Sequence, residues 1–150
     1  MSNETQKPAN APIDLGLLGE EHVRRYRETN GEVGYIWNGA PILLLTTKGR
    51  RSGEPRTIPI IFTPVGSRYV IIASKGGSPT HPKWYLNACD DPNVHVQVKA
   101  DKFDAIARTA QSPERETLWA EALKIWPSYD EYQSRTLRQI PVVVIERVRS

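Results

Sequence analysis

Four basic residues, Lys48, Arg50, Arg51 and Arg56, stand within nine positions of one another against a single acid, Glu54. Guanidinium forks match the paired oxygens of phosphate and carboxylate, so three arginines in so short a stretch suit a ligand with more than one negative charge. Gly49 and Gly53 admit backbone angles that other residues resist, and Pro55 stiffens the return, which exposes amides beside the guanidinium groups. A solvated hairpin tip is the alternative reading of the same charges. A second candidate is Ser74-Lys75-Gly76-Gly77, where a strand runs through a glycine-bearing loop towards a short helix. Free amides at a positive helix terminus hold phosphate in many proteins, and Lys75 adds a full charge there. Trp84 and Tyr85 follow, suited either to core packing or to bordering a planar ligand.

Bond-breaking chemistry has less support. His22, His81 and His95 form no HExxH or HxH pattern, there is no GxSxG elbow, and Cys89 is alone and reads as a buried thiol. No metal site is expected. Anion binders and aromatics hold a large, planar, anionic molecule better than they break bonds, so an enzyme built this way takes its reactivity from a cofactor.

These residues need a scaffold, and the hydrophobic pattern predicts its elements. Ile42–Thr47 and Thr57–Phe62 are β-branched or apolar runs flanking the basic connection, a hairpin with a cationic tip. Arg68–Ser74 reads as a third strand after a turn over Pro64–Ser67. Asn93–Lys99 and Lys102–Ala110 alternate with period two and pair as a hairpin turned near Ala100-Asp101, and Ile140–Val144 is a last strand. Helices are expected from Asp14 to Thr29, stopped by Asn30-Gly31, and from Pro82 to Ala88. A third begins at Pro113 under a Ser112 cap and is broken by Pro127, and a short segment follows with Tyr129, Tyr132 and Thr136 on one face. Several short antiparallel strands with interspersed helices make an α+β, mainly β domain: a small barrel with helices over its openings.

With 150 residues, 39% hydrophobic and 25% charged, the chain suits one domain over residues 13–150 behind a polar, disordered tail at 1–12. It has no apolar run long enough for a membrane span and no signal-peptide pattern, so a cytoplasmic location is expected. The first helix has three roles open to it: packing on the barrel, covering a pocket, or peripheral contact with a membrane surface. A net charge of +3 and a pI near 9.1 are too mild for bulk nucleic-acid binding.

Taken together, TTKGRRSGEPRTIP, ASKGG, HPKWYLNACDDPNVHVQV and the terminal IPVVV resemble the deazaflavin-dependent nitroreductases, actinobacterial enzymes that use reduced coenzyme F420. The resemblance runs from about Pro41 to Ile145 in the same order. It implies a split β-barrel of antiparallel strands with flanking helices, and a coenzyme whose side chain carries a phosphate and an oligoglutamate tail. Arg50, Arg51, Ser52 and Arg56 look like the phosphate and tail contacts. Thr57, Ile58 and Pro59 would pass along the tricyclic ring with their backbone. Ala73, Ser74, Lys75, Gly76 and Gly77 would enclose its other side, with Trp84 and Asn87 on the adjoining helix. A small-molecule acceptor would lie near Trp126, Tyr129 and Tyr132. Ile61 and Trp126 stand where certain relatives have tyrosine, which bears on substrate choice.

The implied activity is hydride delivery to an electron-poor acceptor, a quinone, an activated alkene or a nitroaromatic, with the protein positioning the reactants and excluding water. Tyr129 or Tyr132 would hydrogen-bond the acceptor or donate a proton, unless both only pack beneath the last strand. Two alternatives stand beside it: a related barrel loaded with flavin mononucleotide (FMN), and a non-catalytic carrier or nucleic-acid module using the basic hairpin.

Overall fold

An apolar run without alternation belongs in a strand covered on both faces, and Ile42–Leu45 lies in such a strand. The structure, a computed structural model, describes residues 17–148, so the polar tail and the start of the first expected helix lie outside the described residues. Strand β2 (Ala40–Lys48) points Leu43 and Leu45 into a barrel core with Val96, Phe103, Ile71, Val143 and Ile145. Its other face presents Ile42 and Leu44 to helix α1 (Gly19–Thr29), which buries Val23 and Tyr26 against them.

The remaining elements follow in order. They are β1 (Ile36–Trp37), β3 (Pro55–Ile61), β4 (Thr63–Val65), β5 (Arg68–Ile72), α2 (Lys83–Asp90), β6 (Asn93–Val98), β7 (Asp101–Thr109), α3 (Glu114–Ile125), α4 (Ser128–Ser134) and β8 (Val142–Arg147). Every strand pairing is antiparallel, in the path β2-β6-β7-β8-β5-β4, with β1 and β3 both paired to β2. Because β3 leads through Phe62 directly into β4, the path curls back on itself, yet among the described residues β3 pairs with β2 alone. This is the split barrel with flanking helices that the sequence predicts. A second apolar layer, Leu118, Ala122 and Tyr129 from α3 and α4, covers Val70, Ile72, Val142 and Val144 on the outer face of β5 and β8.

Local chemistry explains most boundaries and several departures from the sequence reading. Asn38 and Gly39 both have positive φ, 50° and 85°, the two-residue turn that matches the twist of the β1–β2 hairpin. Asn30, at φ 51°, closes α1 in the left-handed conformation. The expected turn at Pro64–Ser67 is tighter, since Thr63–Val65 pairs with β5 as a strand of its own. Ser112 does not cap α3 through the backbone; its hydroxyl donates to the Glu116 carboxylate instead, 2.7 Å. Cys89 is exposed rather than buried, one position past the inward Trp84, Asn87 and Ala88 of α2. Gln97, placed by alternation on the open face of β6, is 5% exposed because α1 lies over that face.

Tyr26 ties α1 to the sheet by more than its ring. Its hydroxyl donates to the Ile42 carbonyl at 2.9 Å and accepts the Lys99 amide at 2.8 Å, and burial raises its pKa to about 12. Replacing Tyr26 by Phe leaves both buried backbone groups without this partner, so urea unfolding should show a loss of about 1–3 kcal/mol. An unchanged midpoint would mean that the hydroxyl adds nothing to the packing of the ring.

Candidate functional site

The β2–β3 connection is rigid for reasons its sequence supplies. The Gly49 amide donates to the Glu54 carbonyl and the Gly53 amide to the Gly49 carbonyl, each at 2.8 Å, while the Ser52 hydroxyl accepts the Glu54 amide at 3.1 Å. A Cβ on Gly49 would stand 2.8 Å from that hydroxyl and 3.2 Å from the Glu54 carbonyl, so a larger residue there would have to displace the Ser52 side chain. Buried Asn87 on α2 fixes the tip from beneath. Its Oδ1 accepts both the Arg50 amide and Arg50 Nη1 at 3.3 Å, and its Nδ2 donates to Thr47 Oγ1 at 3.2 Å.

Beside this tip lies the larger lobe of a cleft, about 1150 Å³, walled by Arg50, Arg51, Ser52, Arg56, Thr57, Ile58, Pro59, Trp84 and Asn87. All nine are residues that the sequence marks for the cofactor. Three cations join them that the sequence reading missed, Arg24 and Arg27 from α1 and Lys83 from α2. Six basic side chains therefore face two carboxylates, Glu20 and Glu28. Arg24 is bound to Glu21 and Glu28, and Arg27 donates to Thr57 Oγ1 at 2.9 Å. Arg51, Arg56 and Lys83 form no ion pair among the described residues. Arg24 and Arg27 share a helix face at i, i+3, a spacing legible in the sequence, but only the fold lays that face across β3.

The smaller lobe, about 520 Å³, shares Gly19, Ile58, Pro59 and Trp84 with the larger one, so the two are one cleft over the open edge of β3. Ser74, Lys75 and Gly76 line it together with Trp126, Tyr129 and Tyr132. Ile61, Ile60, Ile72 and Trp37 make the rest largely apolar. Trp126 stacks on Trp37 with ring centres 5.9 Å apart and donates through Nε1 to the Tyr132 hydroxyl at 3.3 Å. Trp37 is held in turn by the Leu17 carbonyl, 2.9 Å from its Nε1. Tyr129 is buried, which pushes its phenol well above the ordinary range, with Tyr132 adding to the shift.

Ala73 and Gly77 line neither lobe. Ala73 is fully buried in the barrel core, and Gly77 lies where an added Cβ would meet the Tyr132 carbonyl at 2.6 Å, so it lets α4 approach the loop. The Lys75–Gly77 turn is left-handed throughout, with φ of 46°, 62° and 85°. His95 pairs with Asp104 on an exposed strand face, away from the cleft, while His22 lines the smaller lobe with its Nε2 donating to the Gly34 carbonyl at 2.8 Å. His81, beside the loop, accepts a hydrogen bond from Arg138 Nη1 at 3.0 Å through Nδ1. No three of His, Cys, Asp and Glu converge on a metal-sized site among the described residues.

Residues 18–147 match the family described as F420H(2)-dependent quinone reductase. A Mycobacterium tuberculosis protein named F420H(2)-dependent quinone reductase is 41% identical over 130 residues, covering 84% of this chain and 87% of the relative. Among solved structures, an F420-H2 dependent reductase (FDR-A) is 42% identical with a TM-score of 0.66, covering 71% of this chain and 94% of that one. Another, titled a domain-swapped dimer, is 38% identical with a TM-score of 0.69, covering 84% and 95%.

Burial first, and then the nearby Arg138 charge, hold His81 below its usual 6.5. A base whose pKa is lower in the folded than in the unfolded chain binds fewer protons when folded, so it works against the fold as the pH drops below 6.5. An NMR titration of the folded protein should place the His81 midpoint under 6.5. A midpoint at or above 6.5 would show that the ring is neither desolvated nor facing the guanidinium.

Proposed function

The chain belongs to the F420H(2)-dependent quinone reductase family, and from that premise we infer that its cleft divides the reaction between its two lobes. The cationic lobe holds the acidic side chain of reduced coenzyme F420, and the aromatic lobe admits a quinone-type acceptor. The observation that carries this reading is the continuity of a lobe with six cations and an apolar, aromatic lobe across one open strand edge.

The residues present fit the coenzyme. A phosphate and an oligoglutamate tail need several donors that are not already neutralised, and Arg51, Arg56 and Lys83 are of that kind. A single phosphate, as on FMN, would use only part of that lobe. The tricycle needs a flat floor with polar backbone groups along it, which the unpaired edge of β3 at Thr57–Pro59 offers. Ser74, Lys75 and Gly76 complete the enclosure. When bound, the reduced coenzyme supplies a hydride to the acceptor.

The chain's own part is to bind, orient and keep water out. Trp37 and Trp126 give an acceptor ring a stacking surface. Tyr132, fixed by Trp126, offers a hydroxyl to an oxygen that gains negative charge, and Tyr129, whose phenol burial holds well above the ordinary range, lines the same lobe as a hydrogen-bond donor or packing group. The apolar residues of α1 are occupied by β2, with Leu18 left exposed near the mouth, so contact with a membrane surface is no part of this reading. No helix among the described residues is long and apolar enough to cross a membrane.

Titration of the purified protein with F420 and with FMN, followed by mixing with reduced F420 and a panel of quinones, enones and nitro compounds, tests the assignment. Preferred binding of F420 and reoxidation by quinones is expected; tighter FMN binding would replace the coenzyme. Arg56→Ala should raise the F420 dissociation constant roughly ten- to 150-fold, the about 1.5–3 kcal/mol of a charged hydrogen bond, and an unchanged constant would remove Arg56 from the site. Tyr132→Phe should lower quinone turnover while leaving F420 affinity nearly unchanged. Equal turnover across all acceptors would return Tyr132 to packing.

A further inference from the structure

Arg138 lies between α4 and β8, outside both lobes, and its side chain is used in an unusual way. Nε donates to the Ser78 carbonyl at 2.8 Å, Nη2 to the Ser74 carbonyl at 2.7 Å, and Nη1 to the Ala73 carbonyl at 3.2 Å and to His81 Nδ1 at 3.0 Å. All four acceptors are neutral, and no carboxylate among the described residues pairs with it. Surface arginines elsewhere in the molecule, such as Arg24, Arg108 and Arg135, pair with glutamates. A guanidinium spread over four neutral acceptors in one loop does little for solubility; its planar fork fixes the path of the backbone.

The base of that clamp is fixed as well. Gln133 on α4 donates through Nε2 to the Arg138 carbonyl at 2.8 Å, and its Oε1 accepts the Ile140 amide at 2.9 Å. One hydrogen-bonded chain therefore runs from α4, which carries Tyr129 and Tyr132, through Gln133 and Arg138 to both ends of the Lys75–Gly77 turn. Lys75 within that turn has φ 46°, a conformation that a residue with a side chain keeps only under constraint.

We propose that Arg138 is a positioning residue, which holds the left-handed Lys75–Gly77 turn of the coenzyme-facing loop in register with the acceptor-side helix α4. The guanidinium touches neither ligand. It acts through the loop that puts Ser74, Lys75 and Gly76 on the cleft wall, and it does so by geometry, so a lysine, with one ammonium on a flexible stem, cannot replace it. This inference rests on the reading of the cleft as the coenzyme site, and its test separates the two.

The test compares wild type with Arg138→Gln and Arg138→Lys by three measurements. In the coenzyme-free protein, hydrogen exchange should be at least about tenfold faster at the amides of residues 75–78 in both variants, with the barrel strands β6 and β7 unchanged. Titration with F420 should show a dissociation constant raised about tenfold or more, without rescue by lysine. Nitrogen NMR of the wild type needs no variant: His81 should be the Nε2–H tautomer, its Nδ1 free to accept from Arg138. Wild-type exchange rates and affinity in Arg138→Gln, rescue by lysine, or an Nδ1–H tautomer would each overturn the proposal. A wild type that does not bind F420 would instead overturn the reading of the cleft, and the exchange rates and tautomer would then decide Arg138 alone.

Discussion

Among the described residues, strand β3 pairs on one edge only, and everything of functional interest is arranged around that missing partner. In a closed barrel each backbone donor and acceptor of a strand meets a neighbour, and there is no place for a ligand to lie along it. Here β3 leaves β2 on one side and turns through Phe62 into β4, which pairs with β5, so the barrel stays open beside Thr57–Pro59. Such an edge would invite pairing with another chain. Pro55 and Pro59, which lack the amide hydrogen, and the Arg27 bond to Thr57 Oγ1 from α1 make it a poor strand template and a good cleft floor.

Charge and polarity divide along that floor. At the hairpin end, the tip arginines meet those of α1, and tight backbone bonds around Gly49 together with the Asn87 bonds to Arg50 hold the tip in place before any ligand arrives. At the opposite end, the cleft turns apolar, walled by two stacked indoles and the tyrosines of α4. Preorganised cations bind an acidic tail without the entropy cost of ordering them, and a dry aromatic end favours a planar, uncharged acceptor.

Much of this was legible in the residues, and the reasons for the gaps are physical. The strands of the barrel were readable because β-branched runs and period-two alternation are local signals, as in Val94, Val96, Phe103, Ala105 and Ala107. The basic tip was readable because its four cations fall within nine positions of one another. Gln97 and Cys89 misled, since the first is covered by a helix distant in sequence and the second sits one step off an inward stripe. Arg24, Arg27, Lys83 and Trp37 could not be placed in the cleft from spacing alone, because their relevance comes from how the fold brings α1, α2 and β1 around it. Arg138 gave no sequence signal at all; an isolated arginine in a loop looks the same whether it is solvated or holding four acceptors together.

The central claim is that one end of a single cleft grips an acidic coenzyme tail while the other receives the acceptor. A crystal structure of the complex with oxidised F420 tests it most directly. The account predicts phosphate and carboxylate oxygens within hydrogen-bond distance of the tip arginines and the tricycle lying along Thr57–Pro59, its free face turned to Trp126 and Tyr132. A tail found in the aromatic lobe or out in solvent, with Arg51 and Arg56 touching nothing, would contradict it.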